Sequence, residues 1–455
     1  MTTCTSRAAW VHLLRRLHFF IGLFVGPFIF VAALTGTLYV ATPQLENLMY
    51  RQALHANVEG EHHSLADQIA VAERALATPL RLNAVRPALE TGETTRVMFA
   101  DPALGESENR AIFIDPVTLA VKGDMTVYGT SGILPLRQWI DYAHRSLLLG
   151  DFGRLYSELA ASWMWIAALG GIVLWVFTRP KRRIKNRLQN TRRVHVTLGW
   201  CLLAGMLLFS ATGLTWSQWA GANVDKMRAA MSWMTPQVNT HLQGGKKVLD
   251  PHAEHHEHHS EMTMGEPPSA TDKIDAVLKA AQLAGITATH LEIRPPRSDD
   301  RAWTVTEIDR RWPTQVDAVA VDPHSLAILD KTQFADFPLM AKLTRWGVDF
   351  HMGVLFGLPN QLLLIAFGVA LCVVIIMGYR LWWIKRPGQS SVNPLQTLTQ
   401  SWLALAWPAR IITLLLAAAS GVAMPVMGVS LALFVVIDWL RWRNALVRAV
   451  APEFR

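Results

Sequence analysis

One membrane-length motif occurs twice in this chain. Arg15 to Val40 reads RRLHFFIGLFVGPFIFVAALTGTLYV, and Arg192 to Ser217 reads RRVHVTLGWCLLAGMLLFSATGLTWS. At a constant offset, Arg15/Arg192, Arg16/Arg193, His18/His195, Gly22/Gly199, Thr35/Thr212 and Gly36/Gly213 are identical. Each stretch is long enough to cross a bilayer, which takes about 20 mainly apolar residues. Each also places a histidine just inside its entrance. An ionisable side chain within a span is costly and marks a functional site by default.

The composition agrees with this. Of 455 residues, 51% are hydrophobic and 17% charged, which suits a membrane protein with sizeable loops. The formal charge of +8 is concentrated in Arg179 to Arg193, which holds eight Lys or Arg and no acid. Lying between two apolar spans, that run reads as a cytoplasmic loop and not as a nucleic-acid site. The three cysteines form neither a disulfide framework nor a CxxC metal motif. The apolar core of the first span is too long for a cleaved signal and no A-x-A site follows it, so it reads as a retained anchor. There is no GxGxxG, P-loop, nucleophile elbow or HExxH.

A second, longer repeat relation sets the architecture. With no gap, Asp115/Asp322, Pro116/Pro323, Leu119/Leu326, Ala120/Ala327, Trp139/Trp346, His144/His351, Gly150/Gly357, Gly171/Gly378, Trp175/Trp382, Arg179/Arg386 and Pro180/Pro387 coincide. The chain is a doubled unit of span, polar region and span. Both copies enter the membrane the same way, as parallel repeats.

The expected organisation is an N-terminus and first span over 1–42, a polar domain over 43–153, and a second span over 154–180. A basic cytoplasmic loop (181–194) and a third span (195–219) follow. A second polar domain covers 220–355, a fourth span 356–386, a C-terminal span pair 400–441 with a turn near Pro425, and a cytoplasmic tail 442–455. About six spans therefore form a membrane α-helical bundle, and each polar domain reads as α+β. Ser64 to Leu76 and Thr271 to Ala284 have helical periodicity, with Ser64 and Thr271 as N-caps. Strands are expected at Thr95–Ala100, Ala111–Ile114, Trp303–Ile308 and Ala318–Val321, the second of each pair ending in an Asp-Pro turn.

On a helical wheel at about 100° per residue, Gly22 and Gly36 share the face of His18. Gly36 lies about 27 Å further along the axis, near the outer side of the membrane. His144 and His351 fall at a similar depth, just before the second and fourth spans. Four histidines thus form two repeat-related pairs, His18 with His195 and His144 with His351. A haem iron with two axial imidazoles fits one histidine from each copy. Gly22, Gly199, Gly36 and Gly213 would let a flat macrocycle approach the backbone. The two repeat offsets differ, which places an insertion at Leu249 to Gly265. Its His252, His255, His256, His258, His259, Met262 and Met264 are candidate ligands for soft or borderline metal ions, or else a flexible linker.

The pattern RRLHFFIGLFVG…ALTG, then HRSLLLGDFGRL, then RRVHVTLGW…SATG resembles the PepSY-associated transmembrane family. FIDPVTLAV and AVDPHSLAI resemble the turns of its PepSY-type outer domains. The resemblance covers about residues 10–388. It implies two small periplasmic PepSY-like domains on a multi-pass protein of the bacterial cytoplasmic membrane, with both termini cytoplasmic. It further implies two b-type haems, with His18, His195, His144 and His351 as axial ligands, and the activity of a ferric-siderophore reductase. Some relatives carry a fused flavin reductase domain, and this sequence contains none. The expected partners are a ferric siderophore, a separate electron donor (a flavin or NAD(P)H reductase, or a quinol) and periplasmic iron-binding or transport proteins. Two other classes fit the same sequence: a non-enzymatic PepSY-type regulator of periplasmic peptidases, and a component of a metal permease.

Overall fold

The computed structural model describes residues 6–56, 59–178, 186–242, 270–384 and 398–450. The histidine- and methionine-rich tract from His252 to Met264 lies outside the described residues, as do most of the basic loop and Cys4. The chain divides into two units. A helical unit comprises Met1–Tyr39, Asp141–Met227 and Leu362–Arg455; a sheet unit comprises Val40–Ile140 and Arg228–Gln361.

Among the described residues, five helices of the chain are long and apolar enough to cross a membrane: Arg7–Val40, Gly150–Phe177, Arg187–Thr215, Leu358–Ile384 and Pro425–Asn444. A shorter apolar helix, Trp407–Ala423, precedes the fifth, and the chain turns at Met424 into Pro425. The final helix does not stop at the expected tail but continues to Val450. Its Asp438 is buried and accepts from the backbone N–H groups of Leu398 and Thr399, capping the short helix Leu398–Leu403. The core of the unit joins Ile21, Val25 and Ile29 to Trp163, Leu202, Met206, Leu371 and Met427. Trp163 reaches into the C-terminal hairpin, where its indole donates to Ser430 Oγ at 2.8 Å. Large apolar side chains such as Leu362, Leu363, Leu414 and Leu433 stay exposed, as expected of helices that face lipid.

The first span is not a regular helix. Between Ser6–Phe20 and Gly26–Val40, residues Ile21–Val25 form a π-helical turn. The constant 100° step therefore fails just after His18, and His18, Gly22 and Gly36 do not share a simple stripe. Single π turns inside α-helices are frequent at functional sites.

Among the described residues the strands of the sheet unit form one antiparallel sheet. Its strands are β1 (Arg81–Arg86), β2 (Thr95–Ala100), β3 (Glu108–Ile114), β4 (Val121–Tyr128), β5 (Leu291–Arg294), β6 (Trp303–Glu307), β7 (Ala318–Val321) and β8 (Ile328–Thr332). Their order is β4-β3-β2-β1-β5-β6-β7-β8. Each repeat contributes four strands, and β1 pairs β5 antiparallel with Val85 opposite Ile293. The two α+β regions expected as separate domains thus share one sheet, which removes an exposed edge from each.

Helices Leu65–Ala75 and Ile274–Leu283 pack on one face of the sheet. Leu65, Ile69, Ala72, Ile274, Val277 and Ala281 meet Val85, Val97, Phe99, Ile112, Ile293, Trp303, Val305 and Val319 there. Ser64 caps the first helix by accepting from Asp67 N–H at 3.1 Å. Thr271 does not cap the second: a 3-10 turn over Ala270–Lys273 leads into it, and no side chain caps it. Asp115 and Asp322 close the Asp-Pro turns by accepting from the N–H groups two and three residues on. Leu119 and Leu326 take positive φ in both copies.

Candidate cofactor and ligand sites

His18 and His195 come together in the helical unit. Their ring centroids are 6.4 Å apart and their planes cross at 76°. The two rings are seated alike. A Cβ on Gly171 would stand 3.1 Å from Cε1 of His18, and one on Gly378 would stand 3.5 Å from Cε1 of His195. A methyl at Gly171 would crowd the ring of His18, whereas one at Gly378 would be in ordinary contact with that of His195.

The ring nitrogens follow the same symmetry. His195 Nδ1 lies 2.9 Å from the carbonyl of Val374. A carbonyl only accepts, so Nδ1 carries the proton and Nε2 keeps a lone pair. Val374 and Ala167 are repeat-related, and the Ala167 carbonyl lies toward His18 without completing the bond; His18 Nδ1 is buried and unpaired. Among the described residues neither Nε2 has a hydrogen-bond partner. A metal-bound histidine ordinarily donates its other N–H to a carbonyl or carboxylate, as His195 does.

These residues fit a bis-imidazole metal centre. Two imidazoles that share one ion at metal–nitrogen bonds of about 2 Å would stand with ring centroids roughly 6 Å apart or less, and the 6.4 Å seen here is of that size. Gly22 and Gly199, each one turn past a histidine, and Gly170 beside Gly171, are open: a Cβ there would meet nothing within 4 Å. Backbone open on the flanks of an imidazole pair suits a flat macrocycle.

His144 sits on the helix Pro135–Ser146, and its ring rests on the first span. A Cβ on Gly36 would stand 3.1 Å from its Cε1, so the gap at Gly36 receives an imidazole and not a macrocycle. Thr35 Oγ1 donates to the Val31 carbonyl at 2.7 Å and lies 3.0 Å from His144 Nδ1. Its one proton is thereby used, so His144 Nδ1 donates to it, and the ring also bonds the backbone at Ala32. Gly213, the repeat mate of Gly36, faces Ala161 at 3.1 Å. His351 ends the helix Leu339–His351 of the sheet unit, next to the fully buried Asp349, which is paired with Arg310 at 3.0 Å and Arg345 at 3.2 Å. His144 and His351 thus belong to different units.

The sheet unit also contains a cleft of about 1850 Å³ that the sequence did not announce. Its floor includes the sheet face away from the two packed helices. Strand alternation puts Leu291, Ile293, Trp303 and Val305 in the core and Glu292, Arg294, Thr304 and Thr306 in the cleft. That alternation is the signal a reading of strands alone would have needed. At its margin Glu90, Glu93 and His290 bring ligand-capable atoms within 4.8 Å of one another. Hydrogen bonding to Glu93 raises the pKa of His290 and lowers that of Glu93, a mutual charge pairing.

Together, the spans, the paired halves and the facing histidines define a duplicated multi-pass membrane protein with a large β-sheet unit. Residues 15–385 match the model of the PepSY-associated TM region, and the chain belongs to that family. Among curated proteins, none matches the chain.

Proposed function

We propose that this protein is a haem-containing reductase of the bacterial inner membrane, passing electrons from the cytoplasmic side to a ferric siderophore or similar ferric chelate in the periplasm. The observation that carries the reading is the His18–His195 pair, with centroids 6.4 Å apart and each ring backed by a repeat-related glycine. Two b-type haems are the proposed cofactors, one held by His18 and His195, with His144 and His351 each a candidate ligand of the second. When bound, haem supplies one-electron chemistry at a potential tuned by its ligands and surroundings.

The chain's own residues do the rest. Val374 fixes the tautomer of His195, and Thr35 and the backbone at Ala32 hold the ring of His144. The spans exclude water from the rings. The reductant is a separate quinol, reduced flavin or NAD(P)H reductase. One electron converts iron(III) to iron(II), which the hard oxygen donors of a siderophore hold far less tightly, and iron(II) is released.

The test is a visible spectrum of the purified protein, oxidised and dithionite-reduced, followed by mixing the reduced protein with a ferric siderophore and an iron(II) indicator. A b-type alpha band that the ferric chelate bleaches, with stoichiometric indicator colour, supports the reading. A colourless protein, or reduced haem that the chelate leaves unchanged, contradicts it.

A further inference from the structure

We propose that the cleft of the sheet unit is a binding site for a multiply anionic chelate, of the tris-catecholate or polycarboxylate class, with Arg96 as its principal anchor. This rests on the ferric-chelate reading above and adds the place of binding and the charge of the ligand.

Arg86 on β1 stands directly opposite Arg96 on β2. Like charges directly across a strand pair repel. The fold offsets one of them: Arg86 forms an ion pair with Glu292 at 2.7 Å, both side chains nearly buried. Arg96 has no carboxylate in ion-pair contact among the described residues. It donates to the Gly132 carbonyl at 3.2 Å and lies over the ring of Phe113. Burial first, and then the neighbouring Arg86, hold its pKa down to about 10. A guanidinium placed against its own charge calls for an anion.

Glu93 and Glu46 act on Arg96 through space without ion-pair contact, and the other nearby acids are committed elsewhere. Glu292 is divided between Arg86 and Arg294, each at 2.7 Å. Asp349 is divided between Arg310 and Arg345. Glu307 accepts from the backbone N–H groups of Thr287, Ala288 and Asp317. Glu93 is taken by His290. Among the described residues ten arginines and eight carboxylates line the cleft, so its wall is net positive, and Arg96 is in ion-pair contact with none of those acids. Guanidinium forks match paired oxygens of a carboxylate or catecholate.

Size decides the class of anion. A small inorganic ion would be lost in about 1850 Å³, when ordinary small-molecule pockets hold about 300–1,000 Å³. A bulky chelate whose oxygens lie on its surface fills such a space. A cationic or neutral chelate leaves Arg96 with only the longer-range charges of Glu93 and Glu46.

The test uses the full-length protein in detergent and calorimetric titration with gallium(III) chelates, which bind as the iron(III) forms do but accept no electron. The trianionic gallium tris-catecholate should bind at least about tenfold tighter than the neutral gallium tris-hydroxamate, and high salt should narrow the gap. Arg96→Gln should weaken the trianion by about 10- to 100-fold, as for one charged hydrogen-bonding group. Should Arg96→Gln fail to fold, Thr304→Glu serves instead: residue 304 pairs with Arg294 across β5 and β6, so the new carboxylate competes with the ligand. Equal affinity for the two gallium chelates, or unchanged affinity in either folded variant, overturns the proposal. Gallium binding without reduction of the iron form would sink the reductase reading and leave the site standing. Reduction that ignores Arg96→Gln would do the reverse.

Discussion

Gly171 stands under the imidazole of His18 as Gly378 stands under that of His195, with virtual Cβ to Cε1 distances of 3.1 and 3.5 Å. Replacing a helical glycine by alanine ordinarily gains about 1 kcal/mol of helix propensity. At Gly378 the extra methyl is in ordinary contact, so Gly378→Ala should hold or raise the melting temperature and leave the haem spectrum in place. At Gly171 the methyl crowds the ring, so Gly171→Ala should forfeit that gain and shift the absorption and midpoint potential of one haem. Paired melting curves and redox titrations of the two variants check this; identical behaviour would go against it.

Thr35 and His144 make a second matched test. Thr35→Val keeps the shape but removes one of the hydrogen-bond partners of His144, leaving the backbone at Ala32, at about 1 kcal/mol for the net loss of one bond. One haem signal should move in potential or weaken while the other stays. Thr35→Ser keeps the oxygen and should behave as the parent. A Val variant spectroscopically equal to the Ser variant would show that the hydroxyl does not orient the ring.

Glu292 predicts a pH dependence of the sheet unit. Burial alone would raise its pKa, but Arg294 and Arg86 overcome this and bring it to about 2. Unfolded, a glutamate titrates near 4.3. Because the folded value is the lower one, the stabilisation is complete above the unfolded pKa and is lost as pH falls from about 4 toward about 2. Glu292→Gln should cost about 3–5 kcal/mol at neutral pH, as when one partner of a buried pair is removed. The deficit should shrink in acid, which thermal denaturation across that pH range measures.

Much of this was legible in the residues. The strand runs Thr95–Ala100 and Ala318–Val321 and the cap at Ser64 follow from local pattern, and the spans from composition. The pairing of β1 with β5 was not legible, because a strand edge has no sequence mark saying which edge it will meet. The π turn at Ile21–Val25 defeated a wheel that assumes one angle throughout. Gly36 was read as room for a ring, and it does receive one, but the ring is that of His144. Thr35, one residue before Gly36, was part of the repeat motif, yet only three-dimensional contact showed that its hydroxyl meets His144 Nδ1. Arg96 was hidden for a different reason: a single charge in a strand signals nothing until its cross-strand neighbour proves to be another arginine.

The most direct measurement of the central claim is haem per polypeptide, by pyridine haemochrome, for the parent protein and for His195→Ala. The account predicts two haems in the parent and one in the variant, with His18→Ala giving the same loss. Unchanged stoichiometry in both variants, or no haem in the parent, would contradict it.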